Sequence, residues 1–214
     1  MSSKLLEELK RRYDPFIVKN YLIKKYAASG NGQADEKDVV IGETPDEIQR
    51  YLSMILEKSQ KLSEFLQEKD NDKKIKSIER NYERVEKFQE KIKKIQNSVT
   101  EKSCSEEIAR KVREVLNRTL MKSKKRDIAG WEETLENYYK SIGVYFLDIK
   151  CGDKLTHMDK YISEESDYQE VENEQEDNVV LEINMKPYYL LYKKQGKPER
   201  SINEGTFLMG LYKK

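Results

Sequence analysis

The apolar residues between positions 75 and 99 recur with the spacing of a helix that packs along one narrow stripe. Every step is three or four residues, and this near-heptad spacing keeps the stripe facing a neighbouring helix along its whole length. The series consists of Ile75, Ile78, Tyr82, Val85, Gln89, Ile92, Gln96 and Val99. An earlier series, from Ile48 to Leu66, has the same spacing but a different phase. The change of phase predicts a break in the helix near residues 68–73.

Two arrangements can bury this stripe, namely a helical hairpin within one chain or a coiled coil between two chains. Charged residues make up 38% of the sequence, against roughly 25% in an average globular protein. Gln89 and Gln96 lie on the stripe, and amide side chains suit a thin interface better than a dry core. We therefore favour the coiled coil between chains. Its contact residues would be Ile75, Ile78, Tyr82, Val85, Ile92 and Val99.

Two short motifs indicate where helices begin. Residues 44–47 (TPDE) combine a threonine N-cap, a proline at the first helical position and a glutamate that can complete a capping box. Residues 103–106 (SCSE) form a second candidate capping box. After it, Ile108, Val112 and Val115 belong to a wider apolar stripe, which is typical of a helix in a bundle.

After Gly143 the helical spacing ends and short β-rich runs take its place. These runs cover residues 144–149, 179–183, 188–192 and 206–212, with glycine-containing turns between them. Helices followed by strands indicate an α+β protein or separate domains. We expect an α+β fold in which long coiled-coil-type helices and a short helical bundle precede a small C-terminal β domain.

The sequence therefore divides into four segments. Residues 1–43 are expected to form short helices and a glycine-containing linker, and residues 44–100 a long broken helix with coiled-coil spacing. Residues 101–143 would supply the helical bundle, and residues 144–214 the small β domain. Within that domain, residues 163–178 are acidic and contain no positive side chain. We expect a solvated loop there, and the alternative is a docking surface for a basic partner.

Composition argues against several classes of function. Lys and Arg number 41 and Asp and Glu number 40, so the chain lacks a global charge for binding nucleic acid. A local basic cluster is only a weak indication of a phosphate site; it consists of Lys122, Lys124, Lys125 and Arg126. No run approaches the ~20 apolar residues of a membrane span, and the charged N-terminus lacks a signal-peptide core. We expect a cytoplasmic protein.

Residue types that usually carry catalysis or bind metals are scarce. Cys104 and Cys151 are too few for a disulfide framework or a four-cysteine zinc site, and we expect buried or idle thiols. His157 is the only histidine, and in a polar loop this residue is more often a surface group than an acid–base catalyst. The common nucleotide-binding, hydrolase and metalloprotease motifs do not occur. We expect no enzymatic activity, no metal and no cofactor.

Residues 188–192 (YYLLY) are dense in aromatic side chains. Alternation along a strand places Tyr188, Leu190 and Tyr192 on one face and Tyr189 and Leu191 on the other. Packing on both faces would explain this composition. The alternative is that one face binds a partner, because tyrosine is common among interface anchors.

Two segments of the β-rich part carry a family resemblance. Residues 142–153 (IGVYFLDIKCGD) mark the entry into that part, and residues 180–191 (VLEINMKPYYLL) precede a short turn and a last strand. Both are similar to the corresponding segments of GrpE, the nucleotide exchange factor of DnaK-type chaperones. The order of linker, long broken helix, short bundle and β domain resembles that family over residues 44–214.

The resemblance implies a dimeric cochaperone with a role in the stress response. GrpE-like proteins are parallel homodimers joined by their long helices and a four-helix bundle, which here would add Ile108, Val112 and Val115 to the dimer contact. Their β domain binds the open ATPase domain of a DnaK-type chaperone and promotes ADP release, without catalytic residues or a cofactor. The binding face in this chain would be Tyr188, Tyr189, Tyr192, Asn203 and Glu204.

A coiled-coil adaptor or scaffold is the main alternative to an exchange factor. In that case the β domain binds another protein, and residues 1–43 and the acidic segment determine specificity. A nucleic-acid-associated protein that uses the basic cluster is a further alternative, and its binding would weaken steeply as the salt concentration rises.

Overall fold

Helices come first in the described part of the chain, and most of the strands come after them. The computed structural model describes residues 38–70, 76–123, 128–155 and 161–212. The helices are α1 (Pro45–Asp70), α2 (Lys76–Asn97), α3 (Ser105–Arg118) and α4 (Trp131–Ser141), with a 3-10 turn at Leu120–Lys122. The predicted α+β class is confirmed. The short helices predicted before residue 38, as well as Ile75 and His157, lie outside the described residues.

The first predicted capping box is present at the start of α1. The Glu47 amide donates to the Thr44 hydroxyl at 3.3 Å, and the Glu47 carboxylate accepts from the Thr44 amide at 3.1 Å. These bonds supply partners for backbone groups that a helix end leaves unpaired. The prediction of a second capping box is wrong, because α3 has Cys104 at its N-cap and no side-chain hydrogen bond caps the helix. The Ser103 hydroxyl instead accepts from the Thr100 amide.

Helices α1 and α2 form an antiparallel hairpin within one chain. Gln49, near the start of α1, donates to the carbonyl of Gln96, near the end of α2, at 2.9 Å. Halfway along the hairpin, the Gln89 amide donates to the Ser59 hydroxyl at 3.1 Å and lies 3.3 Å from that of Ser63. The glutamines on the predicted stripe therefore find small hydroxyl partners on the facing helix. Helix α1 ends at Asp70 and α2 begins at Lys76, so the two series belong to two separate helices, as the change of phase predicts.

The structure corrects the predicted use of the apolar stripe. Its buried members pack inside the chain, in one core with the apolar residues of α1, α3 and α4. The predicted dimer contact residues in that core are Ile78, Val85, Ile92, Ile108, Val112 and Val115, with Tyr82 and Val99 partly buried against it. The hairpin is the arrangement observed, because a single chain supplies both faces of the seam.

The first sheet is built around β5 (Tyr188–Lys194). Strand β6 (Lys197–Asn203) pairs antiparallel along one side, across a two-residue turn in which Gln195 and Gly196 both have positive φ. The other side is shared by β2 (Val144–Phe146), which is antiparallel, and β1 (Val40–Ile41), which is parallel. Strand β1 lies in the predicted linker, and two residues are too few to show strand alternation in a sequence.

The second sheet contains β7 (Thr206–Tyr212) at its centre. Strand β4 (Val180–Met185) pairs antiparallel on one side, and β3 (Asp167–Val171) pairs parallel on the other. Strand β3 lies inside the acidic segment, so the expectation of a simple solvated loop is wrong for these five residues. Their side chains are nevertheless mostly exposed. Backbone groups form the ladder, which leaves the acidic side chains in water.

The two sheets belong to different cores. Ile41, Tyr188, Leu190 and Tyr192 of the first sheet are buried in the same core as the helices. A smaller core lies under the second sheet and consists of Ile149, Leu155, Val180, Phe207 and Met209. The predicted domain boundary at Gly143 would require residues 144–214 to share one core of their own. They do not. Within the described ranges, no helix combines the length and apolar character needed to cross a membrane.

Candidate functional site

An open cleft of about 1110 Å³ lies between α4, β2 and the end of β4. One wall is Val144–Phe146, which is all of β2, and the opposite wall is formed by residues 183–186. Helix α4 contributes Tyr139 and Lys140, and Tyr189 of β5 lies beside β2. The cleft thus forms where the edges of two sheets meet one helix.

A pair of stacked tyrosines forms one side of the cleft. The rings of Tyr145 and Tyr189 lie 5.3 Å apart and 20° from parallel. The Arg200 guanidinium lies over the Tyr189 ring, 4.6 Å from its centroid, in a cation–π arrangement. We call Tyr145, Tyr189 and Arg200 the tyrosine shelf. It brings β2 together with the hairpin of β5 and β6, which follows more than 40 residues later in the chain.

Tyr145 is held in position by hydrogen bonds to the segment before β1. Its hydroxyl accepts from the Val39 amide at 3.1 Å and donates to the Asp38 carboxylate at 3.3 Å. Partial burial raises the pKa of Tyr145, and the Asp38 carboxylate adds to the rise. The phenol therefore stays neutral at ordinary pH, and its ring presents a fixed aromatic face.

Phe146 is an exposed aromatic side chain on the wall of the cleft. Its side chain is 39% exposed. The ring packs against Tyr139 at 5.7 Å and Tyr188 at 5.6 Å between centroids, so the rest of it is firmly supported. Its exposed part is therefore held in a fixed position on the wall of the cleft.

Two residues that line the cleft have buried hydroxyl groups without a hydrogen-bond partner in the described ranges. They are Tyr139 of α4 and Ser123, which follows the 3-10 turn. Burial raises the pKa of Tyr139 well above its usual value, so its hydroxyl keeps its proton and requires an acceptor. An unpaired buried polar group costs about 1–3 kcal/mol, and native proteins contain few of them.

The charged side chains around the cleft balance one another. Glu132, Glu136, Lys140 and Lys186 contribute two groups of each sign. Such a lining offers no net attraction for a polyanion or a polycation. The remaining lining is largely apolar or aromatic, which favours contact with an uncharged, partly apolar surface.

Most of the binding face predicted from the tyrosine-rich strand is used inside the chain. Tyr188, Tyr192 and Asn203 are buried. The Tyr188 hydroxyl donates to the Asn117 side chain of α3 at 2.7 Å, and the Asn117 amide donates to Asn203. These contacts attach the first sheet to α3, so the structure corrects the prediction for these three residues. Tyr189, which is half-buried, and Glu204, which is exposed, remain accessible.

Tyr145, Phe146 and Arg200 were missed as site residues by the sequence reasoning. Tyr145 and Phe146 lie next to each other in a short strand, where alternation places their side chains on opposite faces. Sequence alone offers no sign that both contribute to one cleft. Two adjacent aromatic residues at the start of a β-rich run were the one usable signal.

Features of catalytic or metal sites are sparse in the described ranges. Residues 38–70, 76–123, 128–155 and 161–212 contain no group of three or more His, Cys, Asp and Glu side chains arranged for a metal ion. Cys104 and Cys151 are free and exposed, so the expectation of buried thiols is wrong, and an idle role stays a prediction. Most of the predicted basic cluster, residues 124–126, lies outside the described chain.

Comparison with known proteins adds no relative. No family model matches this chain, and no significant match is found among curated proteins or among solved structures. A function for this chain can therefore be inferred only from the geometry of the cleft and from the resemblance of its sequence to GrpE.

Proposed function

We propose that this chain is a non-catalytic adaptor that binds a protein partner through the cleft and the tyrosine shelf. The observation that carries the proposal is the accessible, rigidly held aromatic surface of Tyr145, Phe146 and Tyr189. Tyrosine and arginine are among the side chains that most often provide the binding energy of protein interfaces. Arg200 over Tyr189 supplies the second of these types at the same place.

The support of these aromatic groups favours binding over a merely structural role. Tyr145 is fixed by two hydrogen bonds and Tyr189 by two ring contacts. Little side-chain freedom would then be lost when a partner docks, which reduces the entropic cost of association. The balanced charges of the cleft favour a partner surface that is close to neutral.

Site-specific photo-crosslinking tests the adaptor proposal. A benzophenone amino acid is placed at position 189 in one variant and at position 87 in a control variant. Lys87 lies on the exposed face of α2, with 64% of its side chain accessible. Both variants are irradiated in the cells that make the protein, and crosslinked products are identified by mass spectrometry. We expect a partner that is captured from position 189 and not from position 87. Equal capture from both positions, or none from position 189, refutes the proposal.

Nucleotide exchange is a narrower second candidate, which is based on the resemblance to GrpE. In this form of the proposal, the chain binds the open ATPase domain of a DnaK-type chaperone and promotes ADP release. Tyr189 and Glu204 would make the contact, because they are the accessible members of the implied face. Tighter binding to the open state shifts the chaperone population toward it, and ADP must then weaken the complex by the same factor. Homodimer formation stays a separate prediction.

Release of a fluorescent ADP analogue from a DnaK-type chaperone tests this second candidate. We expect saturable acceleration by the wild-type chain, reduced acceleration by Tyr189→Ala and Glu204→Arg, and unchanged acceleration by Lys87→Ala. If the folded wild-type chain causes no acceleration, the exchange function is excluded, while the adaptor proposal keeps its own test.

A further inference from the structure

The outer edge of β2 carries backbone groups that no described strand pairs. On its inner side, Phe146 lies opposite Tyr188 of β5. The Leu147 amide donates to the Pro187 carbonyl at 2.9 Å, so the backbone groups of Leu147 point toward β5. In an antiparallel pair, successive residues direct these groups to alternate sides. The N–H and C=O groups of Phe146 and Val144 therefore point away from β5.

The cleft runs along this free edge. Successive side chains of a strand point to opposite faces of its sheet. A cavity over one face would therefore touch every second residue of β2. All three residues, Val144–Phe146, line the cleft, which places it beside the edge. Across the cleft, residues 183–186 line it consecutively in the same way.

The size and charge of the cleft indicate what can occupy it. Its volume of about 1110 Å³ lies above the roughly 300–1,000 Å³ of pockets for small molecules. Its charged side chains cancel, so neither an acidic nor a basic segment is favoured. Unpaired N–H and C=O groups along a strand edge are a template for pairing with a polypeptide in extended conformation.

We propose that the free edge of β2 binds an extended, uncharged segment of the partner protein as an added β-strand. The inference rests on the proposed adaptor function and specifies its mode of binding. Backbone groups of the segment pair with those of Phe146, the exposed residue of β2, and apolar side chains of the segment contact the aromatic walls. Main-chain hydrogen bonds provide affinity in this type of recognition, and side-chain pockets provide specificity.

A displayed library of random 12-residue peptides is the probe for this proposal. The library is selected on the full chain and counter-selected on Phe146→Pro, which removes the outward N–H. Proline is tolerated at a strand edge where its N–H would not join the ladder. Phe146→Ala is the matched control, since it also loses the ring but keeps the N–H. Circular dichroism and thermal unfolding establish that both variants are folded.

We expect selected peptides to have alternating apolar residues and no net charge. Affinity should fall roughly tenfold more in Phe146→Pro than in Phe146→Ala, since proline removes a backbone hydrogen bond and adds steric conflict. N-methylation of alternate peptide amides should abolish binding, while N-methylation of the intervening amides should not. Bound peptide should also slow hydrogen exchange at the Phe146 amide.

Several results would overturn strand addition. They are equal binding to Phe146→Pro and Phe146→Ala, insensitivity to N-methylation, or failure to select any peptide that requires the cleft. Concentration-dependent dimers that Phe146→Pro abolishes in sedimentation would show that the edge pairs with a second copy instead. If photo-crosslinking from position 189 still captures a partner, the adaptor function stands without this binding mode. Loss of that crosslink as well removes both.

Discussion

Replacing Tyr139 with phenylalanine should stabilise the folded chain, even though it removes a polar group from a well-packed core. Tyr139 is 1% exposed, and its hydroxyl has no hydrogen-bond partner in the part of the chain that the structure describes. Folding therefore strips water from this hydroxyl without replacing the lost hydrogen bonds. Phenylalanine keeps the ring, including its edge contact with Phe146 at 5.7 Å between centroids.

The expected gain follows from two opposing contributions. Removing an unsatisfied buried hydroxyl relieves about 1–3 kcal/mol. The small void that the oxygen leaves costs on the order of 1 kcal/mol. The free energy of unfolding should therefore rise by about 1 kcal/mol. For a chain of this length, that rise corresponds to a melting temperature about 2–4 °C higher.

Tyr138→Phe is the matched control because the two tyrosines are neighbours on α4. Tyr138 is also buried, but its hydroxyl donates to the Ile55 carbonyl at 3.2 Å. Losing this bond should lower the free energy of unfolding by about 0.5–1.5 kcal/mol. The same chemical change in adjacent residues should thus shift stability in opposite directions. Urea unfolding followed by circular dichroism measures both variants against the wild-type chain.

The expected gain is refuted if Tyr139→Phe lowers the free energy of unfolding as much as Tyr138→Phe does. That result would mean that the Tyr139 hydroxyl has a partner in solution.

Three other predictions concern the hairpin, the second sheet and the response to alkali. Val85 is fully buried, so Val85→Ala should lower the free energy of unfolding by about 2 kcal/mol, while the exposed Lys87→Ala changes little. Because the hairpin is intramolecular, this loss should be the same at protein concentrations a hundredfold apart, whereas a contact between chains would give a concentration-dependent midpoint. In β7, a Cβ atom on Gly210 would lie 2.2 Å from the Glu176 carbonyl oxygen, so Gly210→Ala should lower the melting temperature by several degrees in calorimetry; an unchanged value would show that the acidic segment is not held against β7. Burial raises the pKa of the buried tyrosines, so their stabilisation is complete below pH of about 10 and should be lost at higher pH as the unfolded chain ionises. The tyrosines concerned are Tyr51, Tyr138, Tyr139 and Tyr188. Thermal unfolding measured between pH 8 and 11 tests this prediction, and a midpoint that rises with pH would contradict it.

The helical seam illustrates how far spacing alone can lead. The positions of the stripe and the break near residue 70 were predictable, because both depend on which residues share a helix face. The identity of the facing helix was not, since a hairpin and a coiled coil require the same spacing. Ser59 and Ser63 decide for the hairpin by accepting from Gln89. This complementarity appears only when two helices are aligned in space.

The candidate site shows the same division more strongly. Alternation in β5 correctly separated Tyr188 and Tyr192 from Tyr189. Alternation could not predict that α3 covers Tyr188 and Tyr192, or that Arg200 covers Tyr189. The acidic segment was correctly expected to be exposed for the most part, yet its backbone pairs with β7. Strand pairing satisfies backbone groups, which every residue has, so composition carries little information about it.

The sequence by itself determined the α+β class, the start of α1 and the faces of α2 and β5. Each of these depends on residues within a few positions of one another, where caps, turns and periodicity act directly. Tertiary structure alone decided what each face contacts, including the hairpin, the junction of the first sheet with α3 and the cleft along β2. The physical reason is that burial belongs to a pair of surfaces. One strand or helix specifies its own surface, and the rest of the chain determines what covers it.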